Sequence, residues 1–227
     1  MKIAAVVPAA GLGKRFRSKI PKLFVSLHGK PLLVHTLQRL IRCFNFEEMV
    51  VLVGQADLKN VQRLLKRHGL GEVRLVVGGV TRADSVRRGV ENVSKNCDWI
   101  LVHDGARPFV DKKLVLNTIL AAKITGAALC AEPVTSTVKR VDLKRGVVLS
   151  TEDRRLLYLA QTPQVFRQDL LVARYKILRK KALAATDEAA LFDGSGISVR
   201  VVAGHAKNIK ITTVDDLELF NPLQGSA

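Results

Sequence analysis

Five apolar runs punctuate the chain: "IAAVV" (3–7), "MVVLV" (49–53), "VRLVV" (73–77), "WILVH" (99–103) and "GAALCAE" (126–132). They are short and bounded by polar or turn-forming residues, as buried strands are. Helical periodicity fills the intervals. "PLLVHTLQRLIRCF" predicts a helix with Pro31 at its first position and Leu33, Leu37, Leu40 and Ile41 on one face. "LKNVQRLLKRHG" stops at a glycine, "TRADSVRRGVENV" starts on a threonine cap, and "KKLVLNTILAAKITG" repeats apolar residues at three- and four-residue steps. Strand–helix alternation of this kind predicts an α/β fold, a mostly parallel sheet flanked by helices. Such sheets bind ligands beyond the carboxyl ends of their strands.

After residue 132 the alternation breaks. "TVKRVDLKRGVVLSTEDR" (137–154) reads as two polar-faced strands around a turn at "DLKRG", a projecting β-arm at about 136–155. An isolated hairpin is marginal in water, so the arm is expected to lean on another surface, such as a second subunit. The remainder returns to α/β, with helices near 168–180 and 187–193, a strand at 198–204, the segment "NIKITT" and a closing helix at "VDDLELF". Residues 1–227 are read as a single domain carrying that arm.

No segment approaches the roughly 18 to 20 apolar residues that cross a bilayer, and the apolar start is too short for an export signal. The expectation is a cytoplasmic protein without a membrane partner. Cys43, Cys97 and Cys130 show no metal-ligand spacing and read as reduced, buried thiols. The net charge of +17 favours anionic partners. The cations are spread over every segment, however, and aromatics make up only 5%, too few for base-stacking platforms, so nucleic acid is not the expected partner. Phosphorylated small molecules remain.

The candidate chemistry starts directly after the first strand. "PAAGLGKRF" fails as a P-loop, because Pro8 stands where the first glycine belongs and Arg15 follows Lys14. It also fails as a dinucleotide fingerprint, with Phe16 at the third glycine position. What is left is still specific. Ala9, Ala10, Gly11 and Gly13 lack bulk, so backbone N–H groups can approach a ligand. Five cations then follow within nine residues, Lys14 to Lys22, of which Arg15 and Lys22 are the candidates for neutralising phosphates. In "VHDGARPFV" (102–110) Asp104 ends an apolar strand, positioned either to meet a metal–triphosphate or sugar hydroxyl or simply to cap a turn. "EPVTSTVKR", "LAQTPQVF", "TDEAALF" and "NIKIT" add small polar clusters, in which Thr186 could be a helix cap and Thr162-Pro163 a helix stop.

Taken in order, these segments with "IPK" and "GGVTRADSV" (78–86) resemble the 2-C-methyl-D-erythritol 4-phosphate cytidylyltransferases of the non-mevalonate isoprenoid pathway, from Ile3 to about Leu219. The resemblance implies a Rossmann-like nucleotidyltransferase fold and a homodimer that exchanges contacts through the β-arm. It implies transfer of CMP from CTP to methylerythritol phosphate, releasing pyrophosphate, with Mg²⁺ as cofactor and no protein residue assigned as a metal ligand. By motif position it makes Arg15 and Lys22 stabilisers of the α-phosphate, and Arg154 and Lys210 the residues that hold the sugar phosphate for attack. Ala9, Ala10, Gly11, Gly13, Gly79 and Ser85 would line the cytidine site. Asp104, Arg107, Thr137, Thr162 and Thr186 would line the sugar-phosphate site, with Thr137 and Arg154 lent by the partner's arm. Val80, Ser136 and Gly105 depart from the commonest pattern, so base recognition is not assigned to the side chain at 80. His103 is expected to be structural. A cytidylyltransferase acting on ribitol 5-phosphate is the nearest rival and a nucleic-acid-binding protein the remote one.

Overall fold

The computed structural model describes residues 1–11 and 22–217. In chain order the elements are β1 (Ile3–Pro8), β2 (Ser26–Leu27), β3 (Lys30–Pro31), α1 (Leu32–Cys43), β4 (Glu48–Val53), α2 (Leu58–Arg67), β5 (Arg74–Val77) and α3 (Arg82–Asn92). There follow β6 (Trp99–Val102), α4 (Lys112–Thr125), β7 (Ala127–Pro133), β8 (Lys139–Asp142), β9 (Val147–Thr151), β10 (Tyr158–Arg167), α5 (Gln168–Leu178) and β11 (Arg200–Ala203). Seven strands form one sheet in the order β11-β7-β10-β6-β1-β4-β5. β10 runs antiparallel to both its neighbours and every other pair is parallel. The sheet is therefore mixed but mostly parallel, as the alternation predicts.

Burial on both faces explains why the central strands read as unbroken apolar runs. Ile3, Ala5 and Val7 of β1 pack with α1, α2 and α4, whereas Ala4 and Val6 face α3 and α5. β4 divides in the same way, Met49, Val51 and Val53 to one side and Val50 and Leu52 to the other. The helix signals hold: Thr81 Oγ1 accepts from the Asp84 N–H at 3.1 Å, and α2 ends at Arg67, just ahead of Gly69 with φ of +70°. In α1, Pro31 is the N-cap and not the first helical residue. Ile41 is exposed, since it lies about 100° round the helix from Leu40 and leaves the buried arc.

Chain direction sets the site. From β1 the chain moves through α1 to β4 and β5, then α3 carries it back to β6 on the other side of β1. This reversal opens a crevice at the carboxyl ends of β1 and β6. Several expected elements are smaller than read from the sequence. The helix at 187–193 is one 3₁₀ turn, Ala189–Phe192, and the strand at 198–204 is β11, Arg200–Ala203; the closing segment is described only up to residue 217, where Asp215–Leu217 form a 3₁₀ turn. Thr162-Pro163 stops no helix; it lies within β10, where the register against β7 shifts between Ala160 and Gln164, a place that accommodates a proline.

Beyond the sheet, β8 and β9 pair, among the described residues, only with each other and form the arm. Val141, Leu143, Val147, Val148 and Leu149 are exposed there, with Leu156, Tyr158 and Leu159 at its base.

Gly89 marks how closely α3 approaches the sheet. A Cβ there would stand 2.6 Å from Val6 Cγ1 and 2.9 Å from Leu52 Cδ2, both in the centre of the core. Helix propensity alone would favour Gly89→Ala by about 1 kcal/mol. Overpacking is expected to outweigh that and leave the variant about 1–3 kcal/mol less stable in urea unfolding. Stability equal to or above wild type would show that α3 can move away from β1 at no cost.

Candidate active site

The crevice is a cleft of about 730 Å³, within the range of small-molecule sites. Ala9, Ala10 and Gly11, leaving β1, form one wall, and Gly78 and Gly79, leaving β5, form the other. The two walls meet where any larger residue would collide. A Cβ on Gly78 would lie 2.4 Å from Ala10 Cβ, and one on Gly79 would lie 1.8 Å from Asp84 Oδ2. The Gly79 N–H donates to Ser85 Oγ at 3.0 Å, the Ser85 hydroxyl donates to Thr81 O at 2.9 Å, and the Val80 N–H donates to Asp84 Oδ2 at 3.3 Å. A narrow slot of small residues held by the start of α3 suits a flat group such as a nucleobase.

Cations converge on the same cleft: Lys22, Arg82, Arg88 and Lys210 all line it. Lys22 Nζ donates to Ile211 O at 2.7 Å, which ties the first βα loop to the segment bearing Lys210. At the floor lies Asp104, at the end of β6. Its Oδ1 accepts from Arg82 Nε at 3.0 Å, its Oδ2 from Lys210 Nζ at 2.7 Å, and Arg107 Nε stands 3.7 Å from Oδ2. Burial would raise the carboxyl's pKa, but Arg82, Lys210 and Arg107 outweigh it and hold Asp104 ionised. Arg82 also grips Glu188 with both terminal nitrogens, at 2.9 and 3.0 Å. Among the described residues, no group of three or more His, Cys, Asp or Glu could hold a metal ion.

Behind Asp104 the support is polar and fully buried. The Asp104 N–H donates to Thr162 Oγ1 at 3.0 Å, which lies 3.0 Å from His103 Nδ1. His103 Nε2 lies 3.0 Å from Arg107 O, an oxygen that can only accept. The geometry assigns the proton to Nε2, so Nδ1 accepts from the threonine hydroxyl. Burial pushes the His103 pKa down to about 4, leaving a neutral ring with both nitrogens committed. It orients the floor and has no reach into the cleft.

The sequence-predicted residues thus fall into groups. Ala9, Ala10, Gly11, Lys22, Gly79, Ser85, Asp104 and Lys210 line one cleft. Arg107 and Thr162 are buried beneath it, Arg107 donating to Asn208 O at 2.6 Å. Thr186 is exposed, two residues before Glu188. Thr137 and Arg154 are exposed on the arm and do not line the cleft of their own chain, Arg154 donating to Thr135 O. Arg15 and Gly13 lie outside the described residues. Arg82, Arg88 and Glu188 were not singled out from the sequence, although Arg82 and Arg88 lie in or beside "GGVTRADSV" and Glu188 lies within "TDEA". Arg82 opens α3 directly after the small-residue turn, a position that could have marked it.

The family model of 2-C-methyl-D-erythritol 4-phosphate cytidylyltransferase matches residues 3–222. A protein of that name from Syntrophus aciditrophicus (strain SB) is 41% identical over 220 residues, covering 96% of this chain and 94% of its own. One from Alkaliphilus metalliredigens (strain QYMF) is 40% identical over 218 residues, covering 95% of this chain and 90% of its own. Among solved structures, the 4-diphosphocytidyl-2C-methyl-D-erythritol synthase of Anaerococcus prevotii DSM 20548 superposes with a TM-score of 0.85 at 30% identity, covering 99% of this chain and 98% of that one.

The buried neutral His103 has a consequence for stability. Its pKa, 6.5 unfolded, falls to about 4 in the native state, so between these values the unfolded chain binds a proton that the native protein does not. The contribution is complete above pH 6.5 and is lost as pH falls toward 4, at most about 3 kcal/mol. Unfolding free energy is expected to fall less steeply over this interval in His103→Asn than in wild type, by a slope approaching one proton. Equal slopes would mean that His103 titrates normally in the fold.

Proposed function

Because the chain belongs to the 2-C-methyl-D-erythritol 4-phosphate cytidylyltransferase family, we propose a division of labour among its residues for CTP-dependent cytidylyl transfer to methylerythritol phosphate, a step of isoprenoid precursor biosynthesis. A phosphate oxygen of the acceptor attacks the α-phosphorus of CTP. The new O–P bond forms as the bond to the bridging oxygen breaks, and pyrophosphate departs. Both reactants are anions, so positioning and charge stabilisation are the protein's main work. The acceptor phosphate, with a second pKa of about 6, is largely ionised at neutral pH. No general base is required, and the buried His103 is not asked to be one.

One observation carries this reading: Lys22 and Lys210, from opposite ends of the chain, line the cleft that also holds the small-residue slot. The base and ribose occupy the slot between Ala9–Gly11 and Gly79–Ser85, and Lys22, with Arg15 of the same loop, stabilises charge on the α-phosphate. Lys210 and Asp104 orient the acceptor, with Thr186 at its far side and Arg107 and Thr162 supporting Asp104 from beneath. Mg²⁺ fits a supporting role. Both oxygens of Asp104 are engaged by Arg82 and Lys210, so the donor set suits an ion chelated by the triphosphate and water more than one caged by carboxylates. Such an ion would neutralise part of the triphosphate charge.

The arm supplies Thr137 and Arg154 to the cleft of a second copy. Its exposed apolar residues, among them Leu143 at 92% and Leu156 at 80%, favour such a homodimer. Among the described residues no helix is long and apolar enough to cross a membrane. We place the enzyme in the cytoplasm, where three free buried cysteines suit a reducing environment.

Pyrophosphate release, measured with methylerythritol phosphate or ribitol 5-phosphate and each of four nucleotides, tests the reading. Turnover is expected with CTP and methylerythritol phosphate; preference for ribitol 5-phosphate would move the enzyme to the rival activity. Lys22→Ala is expected to lower kcat by about 10²-fold or more, the scale of losing one transition-state donor. Near wild-type turnover would remove Lys22 from the chemistry. Arm exchange has its own test. Lys22→Ala and Arg154→Ala proteins, each inactive alone, should regain about a quarter of wild-type activity after subunit exchange, since one site in each mixed dimer is intact. No recovery would mean that Arg154 does not act across subunits.

A further inference from the structure

Glu188 is 1% exposed and lies 106 residues beyond its partner Arg82. Burying a carboxylate against a guanidinium is no general route to stability, because desolvation offsets most of the attraction. What a two-pronged Arg–carboxylate pair does provide is geometry. With both terminal nitrogens of Arg82 bound to Glu188, the guanidinium is fixed in one orientation, in which its Nε meets Asp104 Oδ1. Asp104 Oδ2 meets Lys210. The same pair joins the segment carrying Thr186 to the start of α3, while the Arg82 side chain remains 26% exposed at the cleft.

We infer that Glu188 is a positioning residue of the acceptor subsite: by holding the Arg82 guanidinium in one orientation it keeps Arg82 on Oδ1 of Asp104 and leaves Oδ2 to Lys210, so that Lys210 and Asp104 stay set for an alcohol phosphate. This rests on the cytidylyl-transfer reading given above. Without the Glu188 carboxylate, Arg82 is free to rotate and grip Asp104 with two nitrogens, which displaces the Lys210 ammonium. The slot for the base, built from Ala10, Gly78, Gly79 and Ser85, does not involve Glu188 and stays as it is.

The test is steady-state kinetics on the full chain with Mg²⁺, varying CTP and methylerythritol phosphate separately, for wild type, Glu188→Gln, Arg82→Gln and the double variant. Glu188→Gln is expected to lower kcat/KM for methylerythritol phosphate by about 10- to 100-fold, the scale of a misplaced binding group, while KM for CTP stays within about threefold. In the Arg82→Gln background the same substitution should change kcat/KM by less than about twofold, because the residue it acts through is gone. An unchanged acceptor kcat/KM, an equal loss toward both substrates, or multiplicative effects in the double variant would each overturn the inference. Should Glu188→Gln fail to fold, as judged by circular dichroism, Arg82→Lys replaces it. A lysine keeps the charge but lacks the fork, and the same acceptor-selective loss is expected; its absence overturns the inference. Wild-type protein inactive with this substrate pair would instead count against the functional reading itself.

Discussion

A carboxylate buried at the end of a central strand is the constraint around which the cleft is built. Asp104 stays ionised only because Arg82 and Lys210 each contribute a charge-assisted bond, with Arg107 close behind. Arg107 belongs to the same turn after β6, whereas Arg82 comes from α3 and Lys210 from a segment near residue 210, so satisfying one acid draws two distant parts of the sequence to that turn. The sheet reversal between β5 and β6 puts that point at the mouth of the crevice. Fold and site are thus one electrostatic problem, solved at the carboxyl ends of β1 and β6.

The same arrangement suits the chemistry. Two phosphorylated reactants repel each other, and Lys22, Arg82, Arg88 and Lys210 at the cleft outnumber the acids that pair with them, Asp104, Glu188 and Asp84. Beneath it, neutral groups handle orientation: the Thr162 hydroxyl, the His103 ring and the Asn208 amide, which donates to Thr162 O at 2.9 Å. These neutral hydrogen bonds hold the floor without adding charges that would need further partners.

What could be read from the sequence follows from what is local. Thr81 as a cap, Gly69 as a stop and the unbroken apolarity of β1 and β4 each depend on near neighbours, and each is found as expected. The slot is legible too, since small residues after β1 and β5 need no knowledge of their partners. Ile41 was misplaced because periodicity gives an arc of the helix and not its edge. Thr162-Pro163 was open to reading as a stop because a proline signals a break without saying whether a helix ends or a strand bulges. Glu188 and Arg82 were missed for a deeper reason. An ion pair spanning 106 residues leaves no periodic trace, and a glutamate two residues after a threonine looks like the first turn of a helix.

The central claim is that one cleft holds two anions together. Calorimetric titration of methylerythritol phosphate into protein saturated with α,β-methylene-CTP and Mg²⁺ tests it most directly. Simultaneous binding at one acceptor per chain is the predicted result. Competition, in which the acceptor binds only as the nucleotide leaves, would contradict it.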